Sequence, residues 1–185
     1  MRRTLLLAAV VLVTACSGVE PETQTTPEGP SRAAEPQRAV LEWRERYPAS
    51  GDGLVFEVGE LIVRADGWSV TVAVTNRTKI EWEHDAGRAT HGYGVALFAT
   101  GQLSEVEAAA ANQRLPSPRQ ARSIEPPPPH RLAPGATWRA KLSAPGSLAD
   151  DSHLRVTFGP LYAVGDQPEG MERVVYWITD HAHRL

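Results

Sequence analysis

From residue 53 onward, apolar and polar side chains alternate along the chain. Trp68, Val70, Val72 and Val74 are interleaved with Ser69, Thr71, Ala73 and Thr75, so 68–76 reads as a strand with one buried face, ending at Asn76. Leu54 to Val58 and Leu61 to Arg64 form two further strand-like runs separated by Gly59-Glu60, and Ala65-Asp66-Gly67 signals a turn before the third. More strands are predicted at 93–99, 137–143, 154–159 and 173–179; in 137–143, Trp138, Ala140 and Leu142 alternate with Thr137, Arg139 and Lys141. This register points Val70, Val72, Val74, Leu142, Val156 and Phe158 into the core.

Two segments read as short helices instead. In 36–47, proline suits a first helical turn, Val40, Trp43 and Tyr47 share a face at helical spacing, and Pro48 ends the run. In 104–114, Ser104 and Glu107 have the spacing of a capping box and Ala108 to Ala111 follow. Neither is long enough to cross between parallel strands, so the fold class is all-β, an antiparallel sandwich. The spans GWSVTVAVTN and LAPGATWRAKLSAPG carry a strand ending in an Asn turn and a Pro-Gly turn feeding a strand. Through them the chain resembles the immunoglobulin-like modules of secreted bacterial lipoproteins over residues 53–179, which implies an immunoglobulin-like β-sandwich. A single cysteine leaves no disulfide to hold it, so the core must hold by packing.

The N-terminus is patterned differently. Arg2 and Arg3 precede Leu5 to Val13, an apolar run giving about 14 Å of helix against roughly 30 Å of bilayer hydrocarbon. That is too short to span and suits the core of a signal peptide. Val13-Thr14-Ala15-Cys16 follows and resembles the lipobox of bacterial lipoproteins, with valine where leucine is most common. The resemblance implies diacylglycerol on the Cys16 sulfur, cleavage between Ala15 and Cys16, and a location on the extracytoplasmic face of a bacterial membrane, held by its lipid. Residues 17–38 hold Pro21, Pro27, Pro30 and Pro36 and one large apolar residue, Val19, so they read as a disordered tether with a reach of about 25 Å. The predicted organisation is therefore a signal peptide over 1–15, a lipidated tether over 16–38, a short helix and connector over 39–52, and the sandwich over 53–185.

Composition adds exclusions more than assignments. Apolar residues at 42% and charged residues at 22% are ordinary globular usage, which argues against wholesale disorder or a polytopic membrane protein. A formal charge of -3 offers nucleic acid little attraction. Without Arg2 and Arg3 the remaining 17 basic and 22 acidic side chains give -5, a domain that anionic headgroups would repel as a whole, so the lipid must supply the anchorage. No nucleophile elbow, Ser-x-x-Lys, His-Glu-x-x-His, P-loop or dinucleotide fingerprint is present, and no catalytic residue is assigned.

Three functional readings compete. A binding module would use sandwich loops to engage an envelope protein, peptide or glycan. Its predicted recognition patch is Trp82, His84, Asp85 and His91, a half-exposed aromatic among acids and imidazoles after the best-defined strand; capping the end of the sandwich is the competing role for Trp82. Trp68, Trp138 and Trp177 are expected in the core, and Pro126 to Pro129 as a rigid connector. A metal-binding lipoprotein would use the same loop or His181 and His183, whose spacing on a strand points both imidazoles to one side, toward zinc or copper. The third reading is an envelope enzyme with an unrecognised site. No cofactor is predicted.

Overall fold

The alternation at 68–76 builds the centre of one sheet. In the computed structural model, which describes residues 32–84, 92–168 and 170–185, the elements run β1 (Gln37–Tyr47), β2 (Leu54–Arg64), β3 (Gly67–Asn76), β4 (Trp82–His84), β5 (Gly94–Phe98), α1 (Leu103–Ala111), β6 (Arg119–Gln120), β7 (Ser123–Glu125), β8 (Arg131–Leu132), β9 (Thr137–Pro145), β10 (His153–Ala163), β11 (Val174–Ile178) and β12 (His183–Arg184). The first sheet has the order β1-β2-β3-β9-β7. In the second, β10 pairs antiparallel with β4 and β5 and with β11 and β12, while β6 extends β5 and β8 extends β4.

All of these pairings are antiparallel, and the two sheets pack face to face. Strands β2, β3, β9 and β7 on one side and β5, β10 and β11 on the other reproduce the four-plus-three Greek-key arrangement of an immunoglobulin-like sandwich. Val70, Val72, Val74, Leu142, Val156 and Phe158 are all buried, as the alternation predicts. Phe56 of the first sheet meets Phe158 of the second with ring centroids 5.0 Å apart. Trp68 and Trp138 are core residues, and Trp177 lies at the margin of the core, stacked on Phe56 at 5.6 Å.

The helix predicted at 36–47 is instead the edge strand β1, paired with β2 from Gln37–Val63 to Tyr47–Leu54. Its inward positions are Gln37, Ala39, Leu41, Trp43, Glu45 and Tyr47, and Val40, expected on the apolar helical face, is 69% exposed. Period two is present, but polar residues stand at two inward positions and the ladder shifts register between Val40 and Trp43, where Glu42 adopts φ 52°. The sandwich also takes in residues before 53 and before 39: Ala34 is buried and Ala33 bridges Ala149, so residues 33–38 belong to the packed domain and not to a disordered tether.

Smaller corrections follow from local geometry. The runs on either side of Gly59-Glu60 are one strand, with a bulge between Val58 and Leu61 where the Glu60 amide donates to Thr71 Oγ1 at 2.8 Å. Helix α1 starts one residue before Ser104 and ends at Ala111, and no capping box forms: Gln102 is the N-cap without a side-chain bond, and Glu105 instead accepts from Thr100 Oγ1. In β10 the ladder with β11 is offset between Phe158 and Leu161, and Gly159 sits there at φ 101°. A Cβ on Gly92 would come within 1.4 Å of the Gly159 carbonyl oxygen, so glycine is required where that backbone passes.

Facing positions of β3 supply a direct test. Val72 is 4% exposed whereas its neighbour Thr71 faces solvent. Val72→Asp buries an unpaired carboxylate at a cost of several kcal/mol and abolishes the cooperative melt. Thr71→Asp leaves the melt in place, shifted by a few degrees at most as read by circular dichroism.

Candidate functional site

Trp82 and His84 belong to the interior, not to a surface patch. Trp82 is 0% exposed and His84 1%. Asp85 and His91 lie outside the described residues. The Trp82 indole N–H donates to Thr78 Oγ1 at 3.0 Å, and that hydroxyl donates to Asn76 Oδ1 at 2.7 Å. Asn76 Nδ2 in turn donates to the carbonyls of Ile80 and Leu132 at 2.8 and 2.9 Å. Every member of this chain is deeply buried except Ile80, so the loop between β3 and β4 rests on a satisfied polar scaffold.

His84 belongs to the same wall. Its amide donates to the His130 carbonyl at 3.0 Å, and its Nδ1 lies 2.8 Å from the Pro129 carbonyl. A carbonyl only accepts, so Nδ1 carries the proton and Nε2 presents a bare lone pair, which has no partner. Burial pulls the imidazole below its ordinary value of 6.5, overcoming the Pro129 carbonyl, with His130 nearby adding to the effect. The proline run thus lies beside this wall as a connector between β7 and β8, its carbonyls used by His84 and by Trp138 Nε1, which donates to Pro126 at 3.2 Å.

The two C-terminal histidines do not face a common point. His181 Nδ1 contacts Glu45 Oε1 at 2.7 Å while its ring stacks on Trp43, and His183 Nε2 contacts Gln37 Oε1 at 2.8 Å. Among the described residues no group of three His, Cys, Asp or Glu side chains converges as a metal site would require. Glu45, 7% exposed, is the centre of this region: it accepts from Trp177 Nε1 at 2.8 Å and from the amides of Asp180 and His181 at 2.9 and 3.0 Å. Fully buried Arg155 donates to the carbonyls of Thr179, Asp180 and Gly101. Burial lowers its guanidinium, against the pull of Asp180 and Glu45, and burial with Glu45 raises the Asp180 carboxyl. Glu45 is engaged by the Trp177 and His181 side chains and two amides, and Arg155 by three carbonyls, so the cluster is a clasp closing the seam between β1 and the chain's C-terminal end.

The surface best suited to a ligand is a cleft of about 490 Å³ at one pole of the sandwich. Three loops converge there: 48–53 between β1 and β2, 77–81 between β3 and β4, and residues 164–168 after β10. Pro48, Ile80 and Pro168 supply apolar wall, and Asp52, Lys79 and Asp166 supply charge. None of these three charged groups has an ion-pair partner among the described residues. Lys79, one of only two lysines in the chain, projects from the loop that Trp82, Thr78 and Asn76 brace.

The loop after the best-defined strand borders this cleft, but Trp82 holds it from within, and Lys79 and Ile80 are the residues that line the cleft. Asp52 and Asp166 come from turns more than a hundred residues apart. The only local signal for them is the Ser50-Gly51-Asp52-Gly53 and Gly165-Asp166 turn composition.

Two outcomes follow. Trp82→Ala removes a fully buried indole and the donor that fixes Thr78, and lowers unfolding free energy by about 3–5 kcal/mol in denaturant titration. Because His84 is held neutral, the unfolded chain takes up a proton near pH 6.5 that the folded chain refuses, so stability falls as pH drops below that value. The slope contributed is at most about 1.4 kcal/mol per pH unit. His84→Asn, whose amide keeps a donor for Pro129, flattens the melting temperature between about pH 6.5 and 5 relative to the parent.

Comparison of the chain with protein-family models, with curated proteins and with solved structures finds no match in any of the three.

Proposed function

We propose that this protein is a lipid-anchored binding module of the bacterial cell envelope, attached through Cys16, that takes a basic side chain of an envelope protein or peptide into its polar cleft. The observation that carries the reading is the cleft: two carboxylates and one ammonium, unpaired among the described residues, with the ammonium's loop braced from within and proline and isoleucine flanking them. Two carboxylates against one ammonium favour a cationic guest, and the apolar wall suits the aliphatic stem of lysine or arginine. Rigid loops reduce the ordering cost of binding. The anchor rests on the sequence alone, on Arg2-Arg3, the short apolar run and Val13 to Cys16.

The chain enters β1 at Gln37, at the pole opposite the cleft, since β1 runs from that end toward Pro48.

Both halves of the reading are testable. Cys16→Ser removes the acceptor sulfur, so the protein accumulates as unacylated precursor and leaves the membrane fraction in a high-salt wash; retention equal to the parent overturns the anchor. A short, end-blocked lysine peptide titrated into isotope-labelled protein perturbs the amides of residues 50–52, 79–80 and 166–167, and Asp52→Asn with Asp166→Asn abolishes the response without moving the melting temperature. Perturbation elsewhere, or none, overturns the cleft.

A further inference from the structure

The total charge of this chain is negative, yet its distribution is not even. The outward positions of the first sheet gather cations. Along β3 only Ser69, Thr71, Ala73 and Thr75 face out, so the middle of the face is low and the long side chains stand on either side of it. Arg38 pairs with Glu60 and Arg44 with Glu57, and Glu125 lies opposite Lys141 in the ladder. The two ion pairs use Glu60 and Glu57, while Glu125 accepts from Ser123 Oγ rather than from Lys141.

What is left over is basic. Arg46, Arg64, Arg77, Arg122 and Arg139 have no carboxylate within 4 Å among the described residues. Arg46 and Arg77 share one hollow with Arg44, and Arg64 and Arg122 share another at the far end of the face. Lys141 likewise has no ion-pair partner among the described residues, and Glu42 on β1, Asp66 at the turn and Glu125 on β7 remain to oppose these cations. Six cations against three carboxylates, in a chain whose total is -3, is a segregated surface.

From these residues we infer that the outer face of the β1-β2-β3-β9-β7 sheet is a docking surface for anionic lipid headgroups, laying the sandwich against the membrane that carries its anchor. Charge complementarity selects an anionic occupant, and chain length selects the bilayer. The inference rests on the anchor reading above: only residues 17–31 separate Cys16 from the first described residue, Arg32. The chain then joins the sandwich through β1, the edge strand of this same face. A lipid at Cys16 thus holds the basic face within a short tether of the headgroups. The repulsion expected from the net charge applies to the average domain, not to this side. Each arginine close to an anionic surface raises partitioning roughly fivefold at low salt.

The test uses the full chain carrying Cys16→Ser, so that no acyl group contributes, in flotation with vesicles of phosphatidylcholine alone or mixed with phosphatidylglycerol. Binding is expected to the mixed vesicles, above any binding to phosphatidylcholine, and is lost in 1 M salt, where the Debye length is about 3 Å. Arg64→Glu, Arg77→Glu and Arg139→Glu together, all at exposed positions, weaken that binding on the order of a hundredfold. Arg114→Glu, Arg131→Glu and Arg184→Glu change the net charge equally on other surfaces and leave it within a few-fold of the Cys16→Ser parent. Equal loss in the two triple variants, or no preference for phosphatidylglycerol, overturns the inference. Displacement from vesicles by polyglutamate at matched charge concentration also overturns it, in favour of an acidic peptide partner. The anchor reading is judged separately by fractionation of the acylated parent, so either can fail without the other.

Discussion

One strand bears the hydrogen bonds of four others. Strand β10 pairs along one edge with β4 and β5 and along the other with β11 and β12, so the second sheet exists only if β10 is held straight and central. Its inward side is apolar, through Leu154, Val156, Phe158 and Leu161, but Arg155 at the same level is fully buried on the outward side. A buried guanidinium is tolerable only when most of its donors are used, and here three backbone carbonyls from two separate segments take the Nη1 and Nη2 groups while Nε is left without a partner. The charge thereby gathers Gly101 and the 179–180 turn onto β10, which shapes the path of the C-terminal segment that Glu45 then grips.

Glu45 extends the constraint to the other sheet. Its four short contacts, to an indole, two amides and an imidazole, all come from residues 177–181. A buried carboxylate so fully satisfied replaces, at the open seam, the covalent staple that a chain with one cysteine lacks. Removing one side of such a pairing is costly, because it strands the rest in a dry site. The clasp is thus both a closure and a weak point of the sandwich, in contrast with the aromatic contacts around Phe56, which tolerate adjustment.

These long-range pairings mark where the sequence could and could not be read. Strand β3 and strand β9 announce themselves because their inward positions are uniformly apolar and their outward ones polar. Strand β1 has the same period, but Gln37 and Glu45 occupy inward positions whose partners lie well over a hundred residues away, so Val40, Trp43 and Tyr47 offered a false helical face. Trp82 misled for the related reason that its acidic neighbours face out while the indole faces in, toward Thr78. The cleft was illegible because it is a property of three turns brought together by the fold, and no single turn carries its chemistry. The basic face escaped notice because arginines at alternate positions of separate strands average away in a net charge.

Strand β1 also determines how the domain bears load. In the proposed arrangement, tension first meets residues 32–34, which are bonded to 148–150, then passes along β1 and is resisted by whatever occupies the cleft near Pro48. The register partners of β1 on β2 extend from Val63 to Leu54 along the same axis. Force in that direction shears all the rungs at once, whereas force across the strand would unzip them singly. Under the proposed anchoring, attachment by the N-terminal end of an edge strand is therefore the mechanically resistant choice.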